Sequence, residues 1–165
     1  MNCNVRNANG IHISFDLDGT LIDSIPLMKL SWNNVNTKLG LGIGWGAYRK
    51  HIGLPFSQIC KNLSIESFEV EAYDLYFRFN LENVDKIKPV DGLMECIKWM
   101  ELNNISWSII TSKPKITTIP ILNLFHLKPN ILITADDVEN GKPRIDSAQL
   151  LVSQLDEGIN SIYYI

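Results

Sequence analysis

Residues 11–24 have the sequence IHISFDLDGTLIDS and decide the fold of this 165-residue chain. The apolar run Ile11–Phe15 predicts a short buried strand, and two carboxylates, Asp16 and Asp18, follow at its end. Side chains two positions apart point the same way as the chain leaves a strand, so these carboxylates repel each other unless a cation neutralises them. Oxygen-only ligands favour a hard ion such as Mg²⁺. The stretch therefore predicts a charged site at the end of a buried strand.

The rest of the chain alternates short apolar runs with helical patterns. Ser24 followed by Pro26 predicts a helix start with a capping hydroxyl. From Ile25 to Lys88 we predict helices and no strand. Further strands are expected at Ile105–Ile110, Ile131–Thr134 and Ser161–Ile165, separated by helices that include Thr118–Phe125, where Pro120 is tolerated in the first turn. This order predicts an α/β fold, a Rossmann-like parallel sheet with a helical module inserted after the first strand. In such sheets ligands lie beyond the carboxyl ends of the strands.

Composition limits the classes of partner. Hydrophobic residues make up 45% of the chain and charged residues 20%, which is typical of a globular protein. The net charge of −3 provides no broad positive field, so we expect no nucleic-acid partner. No apolar run approaches the roughly 20 residues that span a bilayer, and the opening MNCNVRNANG lacks a signal-peptide core, so we expect no membrane partner. Cys3, Cys60 and Cys96 form no CxxC pair, which favours a reducing compartment and a cytoplasmic protein.

The segment FDLDGTLIDS (residues 15–24) resembles the opening motif of the haloacid dehalogenase superfamily, in the form found in its phosphoglycolate phosphatase and β-phosphoglucomutase-like branch. The resemblance implies that Asp16 is the nucleophile that becomes an aspartyl-phosphate and that Asp18 is the general acid/base. It also implies that both aspartates hold Mg²⁺ and that Gly19 lets the backbone approach the substrate phosphate. The structural alternative is a strand followed by an Asp/Gly turn.

The segment IITSKP (residues 109–114) resembles the second motif of that family. The resemblance implies that Thr111 binds the phosphate, with Ser112 and Lys113 beside it in the substrate-binding site. A hydroxyl and backbone N–H groups at the end of a strand are able to hold phosphate oxygens. A structural Thr-Ser turn is the alternative.

The segment NGKPRID (residues 140–146) resembles the third motif. The resemblance implies that Lys142 bridges Asp16 and the phosphate charge, a role that transition-state stabilisation requires. Asp136 and Asp137 precede this segment in the loop after the third strand. We expect them to be structural rather than metal ligands.

The resemblance extends to the helical stretch. YRKHIGLP (residues 48–55) resembles the cap segment of this branch, and PVDG (residues 89–92) resembles its return to the core. The implied organisation is an α/β core made of residues 1–24 and 89–165, with a helical cap formed by residues 25–88.

Basic and aromatic residues of the predicted cap leave two interpretations open. Arg49, with Lys50 and His51, either faces the substrate or belongs to a solvated basic face. For the aromatic cluster of Tyr73, Tyr76, Phe77 and Phe79 we expect helix packing rather than a stacking platform.

The last residues, Ser161–Ile165, resemble the fourth strand of the family's core. In the family, an acidic motif of the GDxxxD kind follows this strand and completes the magnesium site. We therefore expect a C-terminally truncated core that binds Mg²⁺ weakly, turns over slowly and is a monomer or a weak homodimer, because its last strand is an exposed edge.

The function implied by these motifs is a Mg²⁺-dependent phosphatase that acts on a small phosphorylated metabolite through an aspartyl-phosphate. Phosphoglycolate-like compounds and sugar phosphates are the expected substrates. One alternative is a phosphomutase of the β-phosphoglucomutase type, which uses the same intermediate. The other is a truncated, inactive relative that only binds phosphorylated ligands.

Overall fold

The computed structural model of the chain describes residues 10–165. Its strands are β1 (Ile11–Phe15), β2 (Ile22–Asp23), β3 (Lys88–Pro89), β4 (Ser106–Ile110), β5 (Ile131–Ile133) and β6 (Ser161–Tyr164). Its α-helices are α1 (Ile25–Leu39), α2 (Trp45–Tyr48), α3 (Phe56–Asn62), α4 (Glu69–Glu82), α5 (Leu93–Leu102), α6 (Lys115–Leu124) and α7 (Asp146–Gln154).

The central sheet has four parallel strands in the order β5-β4-β1-β6. His12 of β1 lies opposite Ser106 on one side and Ile162 on the other. The predicted α/β class with a parallel sheet is confirmed. Because the strands are parallel, the carboxyl ends of β1, β4 and β5 lie at one edge of the sheet, where ligands bind in folds of this type.

A buried apolar cluster packs against this sheet. Leu17 and Ile109 are fully buried in it, and Met100 of α5 and Ile121 of α6 pack from the helices. The rings of Phe15 and Trp107 meet edge to face, a geometry that aromatic pairs prefer. Burial of this cluster fixes the end of β1, and therefore the position of the residues that follow it.

Residues 25–87 contain helices and no strand, and they have a buried cluster of their own. Trp32 of α1 is fully buried and stacks on Tyr48, with ring centroids 4.4 Å apart. Its indole N–H donates to the Ile43 carbonyl at 2.9 Å, which satisfies the one polar atom of this side chain. We refer to residues 25–87 as the helical unit.

The two connections between the helical unit and the sheet run side by side. β2 and β3 pair antiparallel, with Ile22 opposite Pro89 and Asp23 opposite Lys88. The Val90 N–H donates to the Leu21 carbonyl and extends this ribbon. The sequence did not predict these strands, because two-residue strands carry no periodic pattern.

Helix α6 begins three residues earlier than predicted, so Pro120 lies in its second turn. The Pro114 carbonyl accepts hydrogen bonds from the N–H groups and the hydroxyls of Thr117 and Thr118. These bonds form a helical turn before the residue at which the apolar pattern starts. The hydrogen bonds of Thr117 and Thr118 therefore stabilise a helix start that places Pro120 outside the first turn.

Two further observations concern the described part of the chain. Within residues 10–165 no helix has both the length and the apolar character needed to cross a membrane. Cys60 is buried and Cys96 is exposed, and both are free thiols, whereas Cys3 lies outside the described residues.

Candidate active site

A cleft of about 230 Å³ lies between the carboxyl edge of the sheet and the helical unit. The sheet side contributes Asp16, Asp18, Ser112, Lys113, Pro114 and Lys142. The helical unit contributes Met28, Tyr48, Ile52, Gly53, Leu54, Phe56, Ile59, Tyr76 and Phe77. We call the first set the charged edge and the second set the aromatic wall.

Asp16 follows β1 and projects into the cleft. Its Oδ1 accepts two hydrogen bonds, from the Leu17 N–H at 2.8 Å and from Lys142 Nζ at 2.8 Å. Its own N–H donates to the Ile165 carbonyl, so β6 also holds the backbone here. Within the described residues, Oδ2 accepts no hydrogen bond. One oxygen of this carboxylate is fixed and the other is free to react.

Asp18 forms the second ion pair of the charged edge. Its Oδ1 lies 2.9 Å from Lys113 Nζ and 2.5 Å from the Ser24 hydroxyl, which donates to it. The Lys113 side chain is only 8% exposed, so this pair is shielded from water. Gly19, at φ +82°, turns the chain back and brings Ser24 to Asp18. The predicted capping role of the Ser24 hydroxyl is wrong, because Asp18 takes that hydroxyl as its donor.

Lys142 connects three elements of the sheet. Its ammonium donates to Asp16 Oδ1, to the Ile110 carbonyl at 3.1 Å and to the Tyr164 hydroxyl at 3.0 Å. Burial lowers the pKa of Lys142, but the hydrogen bonds and charge attraction from Asp16 and Tyr164 raise it above its ordinary value overall. The side chain therefore stays cationic beside the free oxygen of Asp16.

The residues after β4 divide between two adjoining spaces. Lys113 and Ser112 line the main cleft, and the Ser112 hydroxyl donates across it to the Gly53 carbonyl at 2.7 Å. Thr111 is buried and its hydroxyl accepts the Lys113 N–H. It lines a neighbouring cavity of about 220 Å³ that Ser112 and Lys142 also line. Thr111 and Lys142 thus both line this neighbouring cavity.

Arg49 is not brought to the charged edge. It lies in a 3₁₀ turn, Arg49–His51, where Arg49 and Lys50 are exposed and His51 contacts Asn62. None of these basic residues lines the cleft. A substrate contact by Arg49 stays a prediction.

Asp136 and Asp137 bond to backbone near the ends of two helical segments. Asp136 Oδ2 accepts the Lys115 N–H at 2.7 Å, at the start of α6. Asp137 Oδ2 accepts the N–H and the hydroxyl of Thr134. Burial raises the pKa of Asp137, but these two bonds and the nearby Lys115 charge lower it overall. Their contacts are those of structural residues.

Tyr164, Tyr48 and Tyr76 are site residues that the sequence did not identify. Tyr48 and Tyr76 are almost completely buried, and their rings pack against each other with centroids 5.7 Å apart. Burial raises the pKa of both phenols, and the negative charge of Asp18 raises it further. The predicted aromatic packing is present, because Tyr73, Tyr76 and Phe77 form close ring pairs. Tyr76 and Phe77 line the cleft as well.

The oxygen donors at the charged edge match a hard divalent cation in kind. Asp16 and Asp18 supply carboxylate and backbone oxygen, and the free Oδ2 of Asp16 is open to the cleft. Among residues 10–165 no group of three or more His, Cys, Asp or Glu side chains surrounds a common point. Mg²⁺ commonly takes only one or two carboxylates and completes its six ligands with water and substrate phosphate. The residues present therefore fit a Mg²⁺ ion that takes only a few of its six ligands from the protein.

Two aspartates after the first strand, each paired with a lysine from a later loop, define a class of α/β enzymes that process anionic substrates. Comparison with known families places the chain more narrowly. The model of the family described as haloacid dehalogenase-like hydrolase matches residues 13–165, and the chain belongs to this family. The predicted family resemblance is confirmed.

Relatives of known name lie in the same branch. The chain is 30% identical over 147 residues to Pyrophosphatase PpaX of Halalkalibacterium halodurans, which covers 87% of this chain and 68% of that protein. It is 27% identical over 121 residues to a phosphoglycolate phosphatase of Pseudomonas syringae pv. tomato, covering 67% of this chain and 44% of that protein. The chain thus spans only part of the length of these relatives.

A solved structure supports the fold. A haloacid dehalogenase-like hydrolase from Bacteroides fragilis superposes with a TM-score of 0.82 over 93% of this chain and 76% of that chain, at 19% identity. The architecture of the sheet with its helical unit therefore recurs at low sequence similarity.

Proposed function

We propose that this chain is a Mg²⁺-dependent phosphatase that hydrolyses a small phosphorylated metabolite through an aspartyl-phosphate on Asp16. The observation that carries the proposal is the asymmetric bonding of the Asp16 carboxylate. Two donors hold Oδ1, Oδ2 accepts no hydrogen bond from the described residues, and Asp16 lines the cleft together with two lysines and the aromatic wall. The names of the curated relatives, a pyrophosphatase and a phosphoglycolate phosphatase among them, support phosphoryl transfer to water.

In the first step Asp16 Oδ2 attacks phosphorus, so that an O–P bond forms to Asp16 and the ester O–P bond breaks. The leaving oxygen takes a proton from the Asp18 carboxyl, whose Oδ2 accepts no hydrogen bond from the described residues. Lys142 stays cationic, binds Asp16 Oδ1 and counters the charge that develops on the phosphoryl oxygens. The Ser112 backbone supplies a neutral donor at the end of β4. Phosphate binding by Thr111, which lines the adjoining cavity, stays a prediction.

In the second step a water molecule attacks the phosphoryl group, and Asp18 takes the proton of that water. The Asp16 O–P bond breaks, which releases inorganic phosphate and restores the free carboxylate. Lys113 and Ser24 hold Asp18 by Oδ1 throughout, so its other oxygen faces the reacting atoms. We therefore assign the positioning of Asp18 to Lys113 and Ser24.

Mg²⁺ would be held by the Asp16 carboxylate and by Asp18, the pair that the sequence motif names. When bound it neutralises phosphate charge and so lowers the repulsion between the substrate and Asp16. Because both aspartates already pair with lysines, we expect Mg²⁺ to bind with lower affinity than at a site of three carboxylates.

Phosphate release from phenyl phosphate and from a hexose 6-phosphate, with Mg²⁺ and with EDTA, tests the proposal. We expect turnover that requires Mg²⁺ and stops in EDTA. Conversion of a hexose 1-phosphate to its 6-phosphate without phosphate release would identify the phosphomutase alternative. Tight binding of phosphate with no turnover of any ester would identify the binding-only alternative.

A further inference from the structure

The aromatic wall carries no charge. Among the described residues that line the cleft from the helical unit, the side chains are aliphatic, thioether or aromatic, and Gly53 adds backbone. The basic residues that adjoin wall residues in sequence do not line the cleft, namely Lys29, Arg49, His51 and Arg78. A ligand group that points away from Asp16 therefore meets an uncharged surface.

The polar side-chain groups that the described part of this wall offers are the phenol hydroxyls of Tyr48 and Tyr76. The rings of these tyrosines pack against each other with centroids 5.7 Å apart, and the Asn80 side-chain amide donates to the Tyr76 backbone carbonyl at 2.8 Å. Both tyrosines are at most 4% exposed. A hydroxyl pair of this kind is able to accommodate a neutral polar group, but it provides no positive charge to match an anion.

The cations of the charged edge are also committed. Lys113 lies 2.9 Å from Asp18 and Lys142 lies 2.8 Å from Asp16, so two lysines balance two aspartates. The reacting phosphate would interact with these same two lysines, which are already partly neutralised by the aspartates. A Mg²⁺ ion held by Asp16 and Asp18 would be taken up by the reacting phosphate as well, so a second anion in the cleft would find no further cation among the described residues.

The wall is in contact with the sheet in this arrangement. The Ser112 hydroxyl binds the Gly53 carbonyl, and the Pro55 ring packs against Gly141 so closely that a Cβ there would lie 3.0 Å from it. The volume of about 230 Å³ therefore has to hold both the phosphate at the charged edge and the leaving group at the wall, which favours a small leaving group.

We infer that the cleft selects phosphomonoesters whose leaving group is uncharged and presents an apolar or aromatic face, and that it excludes those with a second anionic group. The inference rests on the proposed function, because it assigns the leaving group to the aromatic wall. It places phosphoglycolate-like compounds, which carry a carboxylate, among the poor substrates. It also disfavours the phosphomutase alternative, since a bisphosphorylated intermediate would place its second phosphate against this wall.

Two non-hydrolysable ligands test the inference without relying on turnover. Phenylphosphonate and 4-carboxyphenylphosphonate differ only by a carboxylate that would point at the wall. Because burial of an unpaired charge is strongly unfavourable, we expect phenylphosphonate to bind at least roughly tenfold more tightly by isothermal titration calorimetry. Equal affinities, tighter binding of the carboxylated ligand, or no binding of either at millimolar concentration would overturn the inference.

A charge placed on the wall gives the matched variant. Leu54 lines the cleft from a loop and is partly exposed, so Leu54→Lys should fold, and it should raise affinity for 4-carboxyphenylphosphonate several-fold. Leu54→Gln is the control, with similar size and no charge, and should leave the preference for the neutral ligand unchanged. Ile52→Lys, from the same loop, repeats the test if Leu54→Lys is unstable. An unchanged preference in both lysine variants would show that the leaving group does not meet this wall.

The esters phenyl phosphate and 4-carboxyphenyl phosphate separate this inference from the proposed function. If neither ester is hydrolysed but the phosphonates differ as expected, the proposed hydrolase function is wrong and the ligand preference stands. If both esters are hydrolysed at equal kcat/KM, the hydrolase function stands and the inference is wrong.

Discussion

The charged edge and the aromatic wall face each other across one cleft and differ in chemistry, since one is ionic and the other is apolar and aromatic. At the edge, Asp16, Asp18, Lys113 and Lys142 form two ion pairs whose partners come from distant parts of the chain. At the wall, the rings of Tyr48, Phe56 and Tyr76 pack against one another at tilted angles and carry two uncharged hydroxyls. In the proposed function the edge supplies the groups that exchange bonds and protons, and in the further inference the wall excludes charge. Reactivity and selectivity should therefore respond to different substitutions.

The largest expected effect removes the reactive oxygen of the edge. Asp16→Asn should fold normally, because the amide oxygen still accepts hydrogen bonds from the Leu17 N–H and Lys142. An amide does not form an acyl-phosphate, so we expect kcat/KM for phenyl phosphate to fall on the order of 10⁴-fold or more. Phosphate release measures the loss, and circular dichroism with a thermal melt checks the fold.

Asp23→Asn is the matched control for Asp16→Asn. Asp23 is exposed on the ribbon strand β2 and does not line the cleft, so its amide variant should keep wild-type turnover. Activity of Asp16→Asn within a few-fold of wild type would place the nucleophile elsewhere.

The second prediction compares the contributions of Lys142 and Lys113 to turnover. Lys142 binds the carboxylate that reacts, and loss of one stabilising donor at a transition state costs about 10²- to 10³-fold in kcat. We expect this loss in Lys142→Met. Lys113→Met should reduce the proton-transfer role of Asp18, and its effect should depend more on pH than that of Lys142→Met.

Kinetics of phosphate release across pH 5–9 compare the two lysine variants, with Lys128→Met as an exposed control. The wall is unchanged in both variants, so affinity for phenylphosphonate should fall less than kcat does. A loss confined to KM would show that Lys142 only binds the ground state.

The sequence predicted the edge better than the wall, and the reason is physical. Asp16, Asp18 and Lys142 are named by motifs in which residue type and spacing are fixed by the chemistry at strand ends. The parallel sheet was predictable as well, since apolar runs separated by helices leave few other topologies. The motif spacing does not show that Lys113 pairs with Asp18, because that contact joins the loops after β1 and β4, which are brought together only by the pairing of these two strands.

The wall was not predictable from local pattern. Tyr76 and Phe77 lie three and four residues after Tyr73, a helical spacing that equally fits core packing, and the structure uses them for both packing and lining. Tyr164 lies on a strand, and the alternation of side chains along a strand does not predict a partner for its hydroxyl. Lys142, which comes from another loop, donates to that hydroxyl. Contacts between elements far apart in sequence are what a single sequence leaves open.

The third prediction joins the two regions. Ser112→Ala removes the hydrogen bond from the edge to the Gly53 carbonyl, and a bond of this kind stabilises by about 1 kcal/mol. We expect KM for phenyl phosphate to rise roughly 2- to 10-fold, with a smaller change in kcat. Ser153→Ala is the control, because Ser153 also donates one hydrogen bond to a carbonyl but lies exposed on α7. An unchanged KM would show that this bond does not hold the wall over the substrate.

The smallest expected effect concerns the sheet beneath the edge. His12 is fully buried on β1, and its two ring nitrogens lie 2.8 Å from the hydroxyls of Ser106 and Ser108 on β4. Burial lowers the pKa of His12 below its ordinary value of 6.5, so the folded protein keeps this ring neutral at a pH where the unfolded chain protonates it. The unfolded state then binds more protons, and stability falls as pH falls. The contribution of the neutral ring is fully present above pH 6.5 and is lost progressively below it.

We therefore expect the free energy of unfolding to decline below pH 6.5 by at most about 1.4 kcal/mol per pH unit from this one group. Urea melts at pH 7.5, 6.5 and 5.5 measure it. His12→Gln is the matched variant, because an amide can still hydrogen-bond to both serines but does not titrate. Its unfolding free energy should be lower at pH 7.5 but should change less between pH 7.5 and 5.5 than that of the wild type. The same pH dependence in both proteins would assign the acid sensitivity to other parts of the chain and not to the buried ring of His12.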